Sequence, residues 1–207
     1  MKILQNALRW SNDPFDLFSI IETVNTPDKL ALNGVLLLHG GEDISPSIYG
    51  EDPIDQCHAE RTPSTRDIQE IELLQQAVKM GIPIIGICRG AQLLCAMDGG
   101  KLWQHSTGHQ GGNHSIFDTT DGEGYVTNSA HHQIMRPLVH NLTLAVSNEA
   151  VDVWDDSGKP QKINRTPEIV FFPHLNAIGI QGHPEWKPNA KFVSYCAQLI
   201  ETFLLNK

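Results

Sequence analysis

The sequence predicts an α/β layered fold with a mostly parallel central sheet flanked by helices, and three observations carry that prediction. Gly34–Leu38 is an unbroken apolar run that stops at His39-Gly40-Gly41, as a parallel strand covered on both faces does. Residues 82–87 form a second such run, entered through Pro83 and ending at Cys88. Between them, Thr65–Met80 carries Ile68, Ile71, Leu74 and Val78 at helical spacing, with Asp67 in its first turn and Gly81 just past its end. Strand, helix and strand in that order imply a parallel pair joined by a right-handed crossover. Ligands are then expected at the carboxyl ends of the strands.

The remaining elements follow in chain order. Residues 1–4 read as a short first strand. Residues 15–24 suit a short helix, on the apolar positions Phe15, Leu17, Phe18, Ile20 and Ile21. Residues 42–63, rich in Asp, Pro, Gly and Ser, read as a loop, and Arg89–Met97 reads as a helix closed by Gly99-Gly100. The second half is richer in strands: Gly124–Asn128, Leu142–Ser147, 150–154, 168–172 and 177–181. Residues 187–205 close the chain as an amphipathic helix with Val193, Cys196, Ala197, Ile200 and Leu204 on one face. With no internal repeat and no long linker, residues 1–207 are expected to form one domain.

Composition narrows the function. Of the 207 residues, 40% are hydrophobic and 19% charged, a globular balance, and the formal net charge is −9. Nucleic-acid and anionic-membrane binders need a basic footprint, which an acidic chain does not offer. The first nine residues lack the apolar core of a signal peptide, and no apolar run reaches the roughly 20 residues of a membrane helix. Cys57, Cys88, Cys95 and Cys196 have no close-set pairing that suggests disulfides or a zinc ribbon. A cytoplasmic protein with reduced thiols is expected.

Chemistry concentrates at Ile84-Ile-Gly-Ile-Cys-Arg-Gly-Ala-Gln92, where a strand runs straight into a helix with Cys88 at the junction. Such an elbow lifts a nucleophile out of the sheet, flanking glycines let substrate approach, and the helix N-terminus favours a thiolate. Taken alone, Gly-x-Cys-x-Gly reads equally well as a small buried hydrophobe. Cys95 and Cys196 fall on core faces of their helices, and Cys57 has no strand–helix context. A thiol hydrolase also needs an imidazole and a group to orient it. His183 follows the strand at 177–181, so it lies at a strand's carboxyl end as Cys88 does. Glu185 stands two residues on, pointing to the same side if the backbone stays extended, as Pro184 favours at His183. A histidine before proline is otherwise commonly a turn residue.

Several stretches together resemble the γ-glutamyl hydrolase branch of the class I glutamine amidotransferase-like superfamily, in particular its γ-glutamyl-γ-aminobutyrate hydrolase type. They are the glycine-rich loop from Gly34 to Gly50, Gly86-Ile-Cys-Arg-Gly-Ala-Gln-Leu-Leu94, Asn128-Ser-Ala-His-His-Gln133 and Gly179-Ile-Gln-Gly-His-Pro-Glu185. Arg66-Asp67-x-x-Glu70 and Gly99-Gly-Lys-Leu-Trp-Gln104 match further family positions. The resemblance implies a flavodoxin-like layered fold and hydrolysis of a γ-glutamyl amide through a γ-glutamyl thioester on Cys88. In it His183 moves the proton, Glu185 holds His183, and the backbone N–H groups of Gly41 and Arg89 form the oxyanion hole. Gly40, Gln92, His131, His132 and Gln133 would bind the glutamyl group. No cofactor or metal is implied.

His39 replaces a usual proline, Glu42 a common third glycine, and Gly182 a usual aromatic residue. Glu42 adds charge beside the oxyanion loop and Gly182 opens space beside His183, so both bear on the leaving amine. The short stretch before Gly34 implies that the helix shaping the family's substrate entrance is trimmed or absent. The expected partner is a small γ-glutamyl substrate, with a homodimer compatible with the sequence. One alternative is a glutaminase subunit feeding ammonia to a separate synthetase, though arginine after the nucleophile favours a stand-alone hydrolase. Another is a non-catalytic or metal-binding protein on this fold: His105, His109 and His114 are spaced for ligation with His131-His132 nearby, but in a glycine-rich, loop-like stretch without cysteine. His140 and His174 read as surface or core histidines.

Overall fold

A computed structural model describes residues 3–7, 13–186 and 189–206. Its centre is a nine-stranded sheet in the order β2-β1-β3-β4-β14-β13-β10-β7-β8. These strands are β1 (Ile3–Ala7), β2 (Ile20–Val24), β3 (Gly34–Leu38), β4 (Ile84–Ile87), β7 (Asn113–Asp118), β8 (Gly124–Asn128), β10 (Leu142–Ser147), β13 (Thr166–Phe172) and β14 (Ala177–Ile180). From β2 to β14 the neighbours run parallel; from β14 to β8 they run antiparallel. The sheet is therefore mixed, parallel where the glycine loop and Cys88 sit. The small strands β5 (Lys101–Trp103) and β9 (Ile134–Arg136) pair with each other, and β6 (His105–Ser106), β11 (Val151–Trp154) and β12 (Pro160–Ile163) form a third sheet.

All five residues of β3 are buried, and alternate side chains go to opposite faces. Leu36 and Leu38 join Leu73, Leu74 and Ala77 of α1 (Thr65–Met80) and Leu94 of α2 (Arg89–Met97) in one core. Val35 and Leu37 join Ile85, Ile87 and, from α3 (Ala190–Ile200), Phe192, Cys196 and Ile200 in the other. Two covered faces explain the continuous apolar runs of β3 and β4. Each fully buried aliphatic side chain contributes about 1.5–3 kcal/mol.

The boundaries of α1 coincide with the expectation because its ends are chemically marked. Ser64 and Asp67 form a reciprocal capping box, and Gly81 turns left-handed at φ 70° to close the helix. Residues 15–24 are not a helix. Asp13 accepts the backbone N–H groups of Phe15 and Phe18, Asp16 turns at φ 56°, and Ile20–Val24 extends to pair with β1. Phe15 and Leu17 still reach the core, as satellites of a turn rather than as a helical face. The first strand runs to Ala7, with Met1 and Lys2 of the expected strand outside the described residues.

The closing helix begins at Ala190, capped by Asn189, and widens into a π-helical turn at Glu201–Leu205; residues 187–188 lie outside the described residues. Its core face is Phe192, Tyr195, Cys196, Leu199 and Ile200, so Val193 and Ala197 flank the stripe rather than centre it. The histidine-rich stretch after β5 also differs from the expected loop, since β6 and β7 order much of it.

Candidate active site

The strand-to-helix turn at Cys88 is strained. Cys88 adopts φ 49° and ψ −107°, a conformation that costs a non-glycine residue about 1–3 kcal/mol. Its N–H donates to the carbonyl of Ile180 in β14 at 2.7 Å, and its carbonyl accepts from Gln92 at 3.0 Å to start α2. The flanking glycines permit the close passage of chain. A Cβ on Gly86 would lie 2.5 Å from the carbonyl carbon of Gly90, and one on Gly90 would lie 2.4 Å from the carbonyl oxygen of Leu38. Both neighbours are backbone and cannot swing away.

The glycine loop after β3 arches over this turn. A Cβ on Gly40 would come within 2.7 Å of the His183 ring and 3.5 Å of Cys88 Cβ, so a side chain there would collide with the imidazole. Gly41 takes φ 153° beside the Arg66 guanidinium and the Arg89 side chain. Arg66 Nη2 donates to the carbonyls of His39 and Gly40, at 3.0 Å each, which turns the loop's carbonyls toward α1. The same helix grips the elbow. Arg89, 2% exposed, donates to Asp67 at 2.5 Å and to Glu70, and Glu70 also takes Arg66 Nε at 2.9 Å. Asp67 and Glu70 thus bind the arginine of the Cys88 turn while Arg66 holds the loop above it.

His183 follows β14, and its local geometry differs from the expected extension. Pro184–Trp186 forms a 3₁₀ turn instead of continuing extended, and this turn brings Glu185 Oε1 to 2.6 Å from His183 Nδ1. Asn128 clamps the histidine's backbone, accepting its N–H at 2.7 Å and donating to its carbonyl at 3.2 Å. Burial alone would lower the His183 pKa, but hydrogen bonding to Cys88 and Glu185 prevails and raises it to about 9. His39, buried at the end of β3, is pushed the other way, down to about 4 by desolvation.

Cys88 opens into a cavity of about 170 Å³ whose walls include Gly41, Glu42, Asp43, Gln92, His132 and Gln133, with His131 at its margin. Five of the expected pocket and oxyanion-loop residues therefore line one cavity; Gly40 sits behind it, against His183. The Gln92 amide donates to the Gln133 carbonyl at 3.3 Å and lies 3.5 Å from the Gln181 amide oxygen. The His132 Nε2–Asp43 Oδ1 pair, at 2.9 Å, braces the opposite wall, and His132 Nδ1 lies 3.2 Å from His105 Nδ1. His105 thus meets His132, whereas His109 and His114 meet His131. His140 and His174 both face Asp98 away from this cavity, at 2.8 and 3.8 Å.

Several contributors escape a motif reading. Trp186 stacks on the His183 ring at 4.0 Å and 5° while remaining 56% exposed; an aromatic residue directly after His-Pro-Glu was the available signal. Asp43 and His58 line the cavity from a segment whose composition says only loop. The space expected beside Gly182 is filled by Thr127: a Cβ there would lie 2.1 Å from its hydroxyl oxygen. Cys57, without context in the sequence, lies 3.9 Å from Asp43 Oδ2 and receives the Gln133 amide at 3.8 Å; burial raises its pKa to about 11.

A thiol at a strained strand-to-helix turn, a paired histidine and carboxylate and a glycine loop over them are the parts of a glutamine amidotransferase-like α/β protein. The chain belongs to the Peptidase C26 family, whose family model matches residues 22–185. It is 31% identical over 189 residues to the glutamine amidotransferase-like protein YvdE of Lactococcus lactis, covering 82% of this chain and 73% of that one. It is 26% identical to the carbamoyl phosphate synthase small chain of Buchnera aphidicola, covering 93% of this chain but only 43% of the relative. The fold is that of a glutamine amidotransferase from Thermotoga maritima, with a TM-score of 0.57 at 14% identity over 99% of this chain and 93% of the other. Among the described residues no helix is long and apolar enough to cross a membrane.

Proposed function

We propose that the protein is a cysteine-dependent hydrolase of γ-glutamyl amides, with Cys88 as nucleophile, His183 as proton shuttle and Glu185 as the group that orients His183. The observation that carries this reading is the strained Cys88 turn beneath the Gly40-Gly41 loop, with the His183–Glu185 pair against it. Strain of this kind persists where a function requires the geometry.

The reaction runs in two halves. The Cys88 thiolate attacks the γ-carbonyl carbon, and the backbone N–H groups of Gly41 and Arg89 receive the developing oxyanion. Imidazolium His183, with its pKa raised to about 9, carries the proton that the departing amine takes as the C–N bond breaks. A γ-glutamyl thioester and a neutral imidazole remain. Water then attacks the thioester, giving its proton to His183; the C–S bond breaks and glutamate leaves. Gln92, Gln133, Asp43 and Glu42 surround the thiol with amides and carboxylates, a lining suited to a zwitterionic glutamyl head rather than to an apolar acyl chain.

A second reading, an ammonia-supplying subunit for a separate synthetase, draws on the similarity to carbamoyl phosphate synthase small chains. The two readings separate in one assay of the purified chain on glutamine and on a panel of γ-glutamyl amines. The hydrolase reading expects glutamate and free amine from at least one γ-glutamyl amine by the chain alone. Turnover of glutamine only after a synthetase is added would establish the second reading and reject the first.

A further inference from the structure

A second polar cluster adjoins the His131–Gln133 wall of the cavity; of its members His131 alone also lines that cavity, and His109, His114 and Glu168 have no part in the proposed hydrolysis. His109 follows β6 at φ 39°, His114 lies in β7, His131 follows β8 and Glu168 lies in β13. All four are buried: 4%, 6%, 4% and 1% exposed. The His109 and His131 rings stack at 5.0 Å, and His114 meets His109 edge-on at 4.5 Å. The backbone draws these loops together, since His131 N–H donates to the His109 carbonyl at 2.8 Å and Ser129 N–H to the Gly112 carbonyl at 3.0 Å.

The donor atoms of this cluster lack partners in a way protein groups rarely do when buried. His131 Nδ1 lies 3.0 Å from the Gln133 carbonyl, an acceptor only, so that nitrogen carries the proton and Nε2 presents a lone pair. Neither His131 Nε2, nor either nitrogen of His109, nor Glu168 Oε2 has a hydrogen-bond partner among the described residues. Leaving such groups bare costs about 1–3 kcal/mol each. One ligand atom from each of His109, His131 and Glu168 falls within 4.8 Å of the others.

We propose that His109, His131 and Glu168 hold a divalent cation of the zinc class. Two imidazole nitrogens and a carboxylate oxygen suit that chemistry, and they leave a fourth position for water or His114. The surroundings are those of a metal site. Gln133 fixes the tautomer of one ligand, and the Thr166 hydroxyl donates to Glu168 Oε1 at 3.3 Å. His114 Nε2 lies 3.2 Å from that same oxygen. A cavity of about 520 Å³, walled by His109, Asn113, His114, Ser129 and Glu149 and not by Cys88, reaches His109 and His114 of the cluster. The ion would tie the β6–β7 loop, the loop after β8 and β13 together, as a structural staple behind the pocket wall.

The test is titration of the chelator-treated full chain with Zn²⁺ by calorimetry. One Zn²⁺ per chain is expected, weakened more than about 100-fold by His109→Gln, since even outer-shell losses cost roughly 10–100-fold. His58→Asn and His140→Asn, which disable the two other His/Asp groups with ligand-like spacing among the described residues, should leave that affinity unchanged. No stoichiometric binding by the wild type would overturn the proposal, leaving a proton on His114 to neutralise Glu168. Binding that survives His109→Gln, or that disappears with either control variant, would do so equally. Co²⁺ loading of the wild type asks the same without a variant: intense visible bands of a tetrahedral ion are expected, and weak octahedral bands contradict the site.

Discussion

Replacing Cys88 with alanine is expected to reduce hydrolysis by on the order of 10⁴-fold or more, with the thermal unfolding midpoint close to that of the wild type. Alanine removes only the sulfur, which borders the cavity, and it keeps the backbone bonds to Ile180 and Gln92 that hold the turn. Alanine retains the strain of φ 49°, so Cys88→Gly should unfold at a higher denaturant concentration than Cys88→Ala while being equally inactive. Turnover of Cys88→Ala near the wild-type rate would remove Cys88 from the reaction. An alanine variant that does not fold would instead show that the thiol is a structural group.

The second large effect is on stability. Arg89→Met is expected to destabilise the protein by about 3–5 kcal/mol, because it leaves Asp67 and Glu70 buried beside each other without their shared cation. Their side chains are 1% and 0% exposed, so water cannot replace the guanidinium. Arg66 partly compensates Glu70, and the Ser64 hydroxyl and N–H donate to Asp67. Neither supplies a second fully buried positive charge. Urea unfolding of the wild type and variant measures the difference; a loss under about 1 kcal/mol would mean that the network carries no net weight. Methionine keeps the backbone N–H at position 89, so whatever activity survives in the folded fraction isolates the side chain from the proposed oxyanion donor.

The parts of the fold legible in the sequence are those where one physical signal dominates. β3 and β4 are covered on both faces, so their apolar runs have no helical competitor of similar length; α1 has marked caps at both ends, and α2 closes at Gly99, φ 88°. Residues 15–24 show the opposite case. Their apolar spacing fits a helix and a turn-plus-strand equally, and the Asp13 hydrogen bonds that decide between them are invisible to periodicity. β7 was hidden because its inward positions are His114 and Ile116, and a buried histidine breaks an apolar alternation. β5, β6 and β9 are two or three residues long, too short for any period.

The site divides in the same way. The positions of Cys88 and His183 after β4 and β14 are legible because apolar runs mark both strands, whereas the 3₁₀ turn that brings Glu185 to His183 is not. The Arg66–Asp67–Glu70–Arg89 network, Trp186 and Asp43 depend on contacts between distant segments. The His109–His131–Glu168 cluster draws its third member from β13, well beyond the histidine stretch, so histidine spacing alone groups His105 with His109 and His114 and misses Glu168.

The central claim is a covalent γ-glutamyl intermediate on Cys88, and mass spectrometry of the acid-quenched enzyme tests it most directly. Mixed with a γ-glutamyl amide it turns over, the protein is expected to gain the mass of one glutamyl residue within the first turnover. Proteolysis should place that mass on the peptide carrying Cys88, and hydroxylamine, which cleaves thioesters, should remove it. Turnover with no adduct when deacylation is slowed by low temperature, or an adduct on Cys57 or any other residue, would contradict the account.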